Sequence, residues 1–315
     1  MIGVRQFASW MKFASWMRGR GALPRRFNPY VAGTPVFDRR LFFGRDRLAR
    51  HTIVQLDSRS VKLTGERRIG KTSFLYYLHS VLIEQAAGER RYFPVFVDLE
   101  AVTAAGLFHA LMEEMVEALA LSPRTLAQLR FTSRHNGYQG HDFSRDLQRV
   151  VLDLRGRTHR QVSLVLLVDE VDAPCETNPI EDRWLDSLLE EHLQEFRVVL
   201  AGVRRGATGP SEARRGHGAL EELELEPFTT EEAVALVTTP VDGVYRYEPR
   251  AVERILQLSR LRPYLIQRLC LEAVNRMLDE GRTTVRVADV EAVRVYPVAG
   301  PCCSLSTNLS EPDLL

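Results

Sequence analysis

Residues 65–72 read Gly65-Glu66-Arg67-Arg68-Ile69-Gly70-Lys71-Thr72, the pattern G-x-x-x-x-G-K-T, directly after an apolar run, Ser60-Val61-Lys62-Leu63-Thr64. A glycine-rich turn between a strand and a helix aims successive backbone N–H groups at phosphate oxygens. The positive N-terminal end of the helix strengthens the same field. The chain is therefore expected to bind a nucleoside triphosphate, with the cradle formed by Gly65, Glu66, Arg67, Arg68, Ile69, Gly70 and Ser73. Lys71 is expected to reach the β- and γ-phosphates and Thr72 to hold Mg²⁺. Local context agrees, because residues 73–83 keep apolar side chains at helical spacing. Only Lys12, Lys62 and Lys71 among 42 basic residues are lysines. In a chain that otherwise uses arginine, a lysine stands where a compact ammonium suits the site.

A phosphate loop needs a second half, a buried strand ending in acid, and residues 162–170 supply it as Val162-Ser163-Leu164-Val165-Leu166-Leu167-Val168-Asp169-Glu170. Asp169 is the expected partner of Thr72 in holding Mg²⁺. Glu170 is placed to polarise or deprotonate the water that attacks the γ-phosphate. Taken alone, the segment also reads as an ordinary strand followed by an acidic turn; its pairing with the loop favours the metal site.

Length and composition set the scale. With 315 residues, 45% hydrophobic and 26% charged, the chain can hold one α/β core of about 200 residues and a smaller module. A net charge of +1 argues against a general nucleic-acid coat, but Arg5, Lys12, Arg18, Arg20, Arg25 and Arg26 all precede the first acid, Asp38. Cys175, Cys270, Cys302 and Cys303 have neither C-x-x-C spacing nor histidines at ligand spacing. Neither a zinc site nor a disulfide framework is indicated, and a reducing cytoplasm fits. No apolar run reaches the roughly 18 residues of a membrane span. Phe7-Ala8-Ser9-Trp10-Met11 recurs as Phe13-Ala14-Ser15-Trp16-Met17. This stretch is compatible with a membrane-surface segment or a transit peptide, but the reading preferred is an unstructured extension or upstream sequence added by start-site choice.

A resemblance then becomes specific. The succession Asn28-Pro29-Tyr30, Pro35-Val36, Phe42-Phe43-Gly44-Arg45-Asp46, the phosphate loop, Leu166-Leu167-Val168-Asp169-Glu170, Pro227-Phe228-Thr229-Thr230-Glu231-Glu232-Ala233 and Arg262-Pro263-Tyr264-Leu265 resembles bacterial STAND-type, AAA-like P-loop ATPases related to the origin-recognition/Cdc6 clade. It covers about residues 28 to 295. The resemblance implies ATP and Mg²⁺ as cofactors. It also implies that Phe43, Gly44 and Arg45, with Asp46, close over base and ribose. From the residues alone, that element reads as a helix start with solvated charges. The strand Phe196–Gly202 leads to Val203-Arg204, which matches the family's strand closing on a γ-phosphate-sensing arginine; Arg204 is the candidate and Arg205 the alternative. Pro263 is implied to contact the nucleotide. Such relatives usually carry a glycine pair before this x-P-Y element, whereas Ser259-Arg260-Leu261-Arg262 stands here, so an altered approach of the lid to the base is expected. Arg260 and Arg262 are open to a phosphate contact or to a solvated helix end.

The expected fold is α/β, a P-loop NTPase three-layer sandwich with a mostly parallel sheet, followed by a small helical lid. The expected organisation is a basic tail at 1–27, a nucleotide-binding domain at 28–226, a helical lid at 227–297 and a polar tail at 298–315, with no winged helix after the lid. Tyr92–Leu99 is expected as a core strand and Leu107–Leu121 as a helix. A short β-like run is expected at Thr283–Val287, with Asp289 as an N-cap. Residues 206–218, rich in glycine and arginine, read as a loop.

The leading functional expectation is an ATP/ADP-binding switch with slow Mg²⁺-dependent hydrolysis, working with an unidentified protein effector. One alternative is a DNA-associated loader or transposition helper. Another is a non-catalytic, nucleotide-stabilised interaction protein, against which Glu170 speaks. A homo-oligomer is left open, since no arginine stands out as a finger acting in trans.

Overall fold

The computed structural model describes residues 28–85, 89–100, 102–132, 137–171, 195–203 and 220–293. Five strands form the central sheet: β1 (Ser60–Gly65), β2 (Arg90–Asp98), β3 (Gln161–Asp169), β4 (Phe196–Val203) and β5 (Leu220–Leu225). All pairings are parallel, in the order β2-β3-β4-β1-β5. The pattern of β3 explains why. Val162, Leu164, Leu166 and Val168 pack into one core while Val165 and Leu167 pack into another on the opposite face. A strand apolar on both sides must be covered on both sides.

Helices provide that cover. On one face lie α1 (Asp46–Leu56) and α2 (Lys71–Glu84), contributing Ala49, Ile53, Leu56, Phe74, Leu75 and Leu78. On the other lie α3 (Leu107–Leu119) and, after a short α4 (Pro123–Gln128), α5 (Gly140–Arg155), contributing Leu111, Met112, Met115, Phe143 and Leu147. The expected three-layer α/β sandwich is what forms. Strand β2 is an edge and carries Pro94 in its middle; the other edge, β5, carries Glu221, Glu222 and Glu224. Within the sheet, the buried Arg197 donates to the carbonyls of Leu56 (3.1 Å), Phe196 (2.9 Å) and Asp57 (3.4 Å), capping the C-terminal end of α1.

Beyond β5, helices α6 (Thr230–Thr238), α7 (Pro249–Ser259), α8 (Pro263–Asp279) and α9 (Val287–Glu291) enclose a separate apolar cluster that includes Leu236, Ile255, Ile266, Leu269, Val274 and Met277. A two-strand ribbon joins β6 (Arg246–Tyr247) to β7 (Thr284–Val285) in parallel. Asp289 is not the N-cap of the last helix. Arg286 holds that position, and Asp289, inside the first turn, accepts the Arg286 N–H at 2.8 Å and the Arg282 guanidinium at 2.6 Å. A carboxylate at the third helical position reaches back to the N-cap residue's own N–H, the return half of a capping box. Among the described residues, no helix is long and apolar enough to cross a membrane.

The turn between α7 and α8 bears on the expected change in lid approach. Arg260 and Leu261 both adopt the left-handed conformation, at φ 49° and 60°. The backbone thus takes a glycine-like path with two side chains attached, and Pro263 still reaches the central cleft. Left-handed backbone costs a non-glycine residue about 1–2 kcal/mol. The exposed Arg260→Gly should therefore stabilise the protein by about 1 kcal/mol after the extra unfolded-state entropy of glycine is deducted, a difference readable in urea denaturation. Leu261→Gly should show no such gain, because Leu261 also packs against the lid core.

Candidate functional site

Parallel strands bring their C-terminal ends to one rim, and the sequence elements of interest lie there. Strand β4 stands between β1 and β3, so the end of β1 and the end of β3 are two strand spacings apart, about 10 Å. At the end of β1, a Cβ on Gly65 would lie 3.0 Å from Ile69 Cγ2 and 3.0 Å from the Leu225 carbonyl. Any side chain there would have to push Ile69 or Leu225 back by a few tenths of an ångström for the loop to stay closed against β5. Arg68 (φ 61°) and Gly70 (φ 101°) then turn the chain through left-handed conformations into α2, whose first N–H groups face the loop without helical partners. Lys71 is buried, and its ammonium donates to the carbonyls of Gly65 (3.1 Å) and Glu66 (3.0 Å).

Across the rim, Asp169 ends β3. It is 3% exposed, and its Oδ1 has no hydrogen-bond partner. Burial pushes its carboxyl above the ordinary aspartate value, opposed by the Thr72 hydroxyl and the Glu170 N–H and reinforced by the charge of Asp98, its register partner on β2. A buried carboxylate oxygen lacking a donor, beside a threonine hydroxyl, fits a hard cation that takes oxygen ligands. Glu170 follows in a left-handed conformation (φ 53°) and lines the cleft. Its carboxyl is also raised, first by burial and then by the Asp169 charge.

The cleft has a volume of about 720 Å³. Its floor is the phosphate loop from Arg67 to Ser73. One wall is a strap, with Val31, Gly33, Thr34, Pro35 and Val36; another is the first two turns of α8, with Pro263, Tyr264, Gln267 and Arg268. The strap is tied down at both ends. Val36 N–H donates to Ser73 Oγ (3.0 Å), and Val31 N–H donates to Gln267 Oε1 (3.1 Å). Loop and lid also touch directly. Glu66 pairs with Arg262 at 2.9 Å, and Arg68 both donates to the Tyr264 hydroxyl (3.0 Å) and stacks 4.7 Å from its ring.

The element expected to close over base and ribose does something additional. Phe43 and Arg45 line the cleft, but Gly44 is not among the cleft-lining residues. A Cβ on Gly44 would meet the Glu232 carboxylate at 2.9 Å. The Arg45 N–H donates to Glu232 Oε1 (3.0 Å), and its guanidinium donates to the carbonyls of Glu226 (2.7 Å) and Ile69 (3.4 Å) while lying 5.0 Å from the Phe228 ring. Burial lowers its pKa to about 10. Asp46 is exposed, as a solvated helix start would have it, and its carboxylate also accepts the hydroxyl of the buried Tyr77. Arg262 reaches the loop carboxylate Glu66, and Arg260 is exposed.

The structure therefore gathers Phe43, Arg45, Arg67, Arg68, Ile69, Gly70, Lys71, Thr72, Ser73, Glu170 and Pro263 on one cleft, with Gly65, Glu66 and Asp169 directly behind it. Arg204, Arg205, the 206–218 loop, both tails and Cys175, Cys302 and Cys303 lie outside the described residues. The strap, Gln267, Arg268 and Phe228 are cleft residues that motif reading missed. A signal for Gln267 existed, because it follows Pro263 by four residues on one helix face.

Residues 35–267 match the family model described as Novel STAND NTPase 1. Among solved structures, a Walker-type ATPase of Pyrococcus abyssi aligns with a TM-score of 0.52 and 17% identity, over 80% of this chain and 73% of that one. The ORC1 protein of Aeropyrum pernix in complex with DNA aligns with a TM-score of 0.50 and 17% identity, over 83% of this chain. This chain spans 65% of the length of that ORC1 protein, just under two thirds. A search of curated proteins found no match. The parallel sheet, the phosphate loop with its facing carboxylates, and a family match covering most of the sequence agree: the chain belongs to the novel STAND NTPase 1 family.

Proposed function

We propose that this chain is an ATP-binding switch that hydrolyses ATP slowly with Mg²⁺, its lid position set by the phosphates. The observation that carries the reading is the pairing, at one end of one cleft, of a buried ammonium that donates to loop carbonyls with a buried carboxylate oxygen that lacks a hydrogen-bond partner. An incoming triphosphate would draw the Lys71 ammonium from Gly65 and Glu66 onto phosphate oxygens. Thr72 and Asp169 would hold Mg²⁺, which when bound supplies the positive charge that offsets the β- and γ-phosphates. Glu170, on the cleft wall with a raised pKa, suits a base that orients and deprotonates water. Arg204 is the proposed γ-phosphate sensor. Glu66 and Arg68 belong to the loop yet contact the lid, so a loop that rearranges around phosphate alters lid contacts directly.

A DNA-associated role is the second reading. Its support is the run of six basic residues before the first acid, and salt-dependent retention on DNA is its test.

Calorimetric titration of ATP with Mg²⁺ should show binding by the wild type and a loss on the order of 100-fold in Lys71→Ala; a wild type that binds neither ATP nor ADP would sink the proposal. Glu170→Gln should keep ATP affinity within about threefold while hydrolysis falls on the order of 100-fold or more; unchanged turnover would remove Glu170 from the chemistry. For Asp169 the sign is set by a raised carboxyl. The cost of ionising it inside the fold is absent below the ordinary aspartate value, and it grows as pH rises through the raised one. Nucleotide-free Asp169→Asn should therefore melt above wild type at neutral pH, with the gap closing in acid. The same variant should lose the extra stabilisation that Mg²⁺ adds to ATP.

A further inference from the structure

We infer that Gln267 reads the base of the nucleotide, presenting a fixed donor to adenine N1 and opposing the N1–H of guanine. The inference deepens the adenine-nucleotide reading of the same cleft and rests on it.

The orientation of the carboxamide follows from its partner. Val31 offers a backbone N–H, which can only donate, and it lies 3.1 Å from Oε1. That contact fixes which end of the amide is oxygen. Gln267 is 8% exposed and lies on the cleft wall. With Oε1 committed to the strap, the polar atom it offers to the cleft is Nε2, a donor without acceptor capacity.

The strap cannot easily let go of it. Tyr30 donates its hydroxyl to the Val237 carbonyl, and Tyr247 donates to the Tyr30 hydroxyl at 3.0 Å. Asn28 Nδ2 donates to the Leu271 carbonyl (2.9 Å) and to Asn275 Oδ1 (2.8 Å). These bonds pin the residues before Val31 to the lid, and Val36 is pinned to Ser73. Gln267 is thus held in place before any ligand arrives, the condition under which one hydrogen bond discriminates well.

Two measures place Gln267 away from the phosphates. Along α8, Tyr264 touches Arg68 of the loop, and Gln267, three residues on, lies roughly 4.5 Å further along the helix. Along the strap, Val36 meets the first turn of α2, and Val31 is five residues back towards the lid. A nucleotide with its phosphates on Gly65–Thr72 extends its base to this end. The base carries ribose at N9, so N9 points back towards the loop and the N1–C6 edge points towards Gln267. Adenine N1 accepts a hydrogen bond, whereas guanine N1 bears hydrogen and would set donor against donor. A site built around a buried polar group rejects the analogue that leaves it unpaired.

The test is titration of ATP, GTP and 1-deaza-ATP, in which C–H replaces N1, into wild type and Gln267→Glu, each with Mg²⁺ and each checked by thermal melting. Glutamate keeps an acceptor for Val31 and removes the donor. Wild type should bind ATP about tenfold or more tighter than GTP and about tenfold tighter than 1-deaza-ATP. Gln267→Glu should lose about tenfold for ATP, bind 1-deaza-ATP as well as ATP, and no longer prefer ATP over GTP. An ATP-to-GTP ratio unchanged by the substitution, or a wild type indifferent to N1, overturns the inference while ATP binding leaves the switch reading standing. Absence of any nucleotide binding by wild type overturns both. Should the variant fail to fold, the comparison of ATP with 1-deaza-ATP on wild type still decides.

Discussion

A guanidinium taken out of water must find acceptors wherever it settles, and that of Arg45 settles between the phosphate loop and the lid. Its acceptors are the Ile69 carbonyl in the loop and the Glu226 carbonyl just before the lid, and Phe228 lies against it. The same residue gives its backbone N–H to Glu232 at the start of α6. Removing any one partner leaves a buried charge short of a bond, a much greater loss than that of a surface pair. One residue therefore ties loop, β5 exit and lid together, its guanidinium bonding the first two and its backbone N–H the third.

Strain is concentrated around the same space. Of six non-glycine residues with positive φ among the described residues, five, Arg45, Arg68, Glu170, Arg260 and Leu261, belong to the cleft or to a turn that leads into it, and the sixth, Ala120, ends α3. Such conformations persist only where surrounding structure holds them, and they gather where geometry matters more than stability. The core itself is built of two apolar clusters on the faces of a parallel sheet and a third inside the lid.

The phosphate loop, β1 to β4, α2 and α3 were legible because each carries a local signal, either glycines at fixed spacing or apolar residues at period 2 or 3.6. Strand β5 was not: Leu220-Glu221-Glu222-Leu223-Glu224-Leu225 is too acidic to announce itself, and its place is fixed by register with β1. Helix α5 went unread although Phe143, Leu147, Val150 and Leu154 carry the period, whereas the chain before it is organised by buried Asp146 accepting the N–H groups of Arg130 and Phe131. Gly44 and Arg45 were recognised as a motif but not as the seat of the lid, since Glu232 lies 187 residues away in sequence. The strap was invisible as a wall for the same reason, its anchors being Gln267, Leu271 and Asn275.

The two margins of the sheet carry a consequence for how copies of this molecule can meet. At one margin Pro94 removes a backbone donor from the middle of β2, and at the other Glu221, Glu222 and Glu224 crowd β5 with negative charge. Among the described residues, neither border offers an uninterrupted, neutral ladder for another chain to join. An assembly that avoids these borders would recognise side-chain relief on helices and loops, a reversible mode of contact, whereas a continuous intermolecular sheet would lock its partners together.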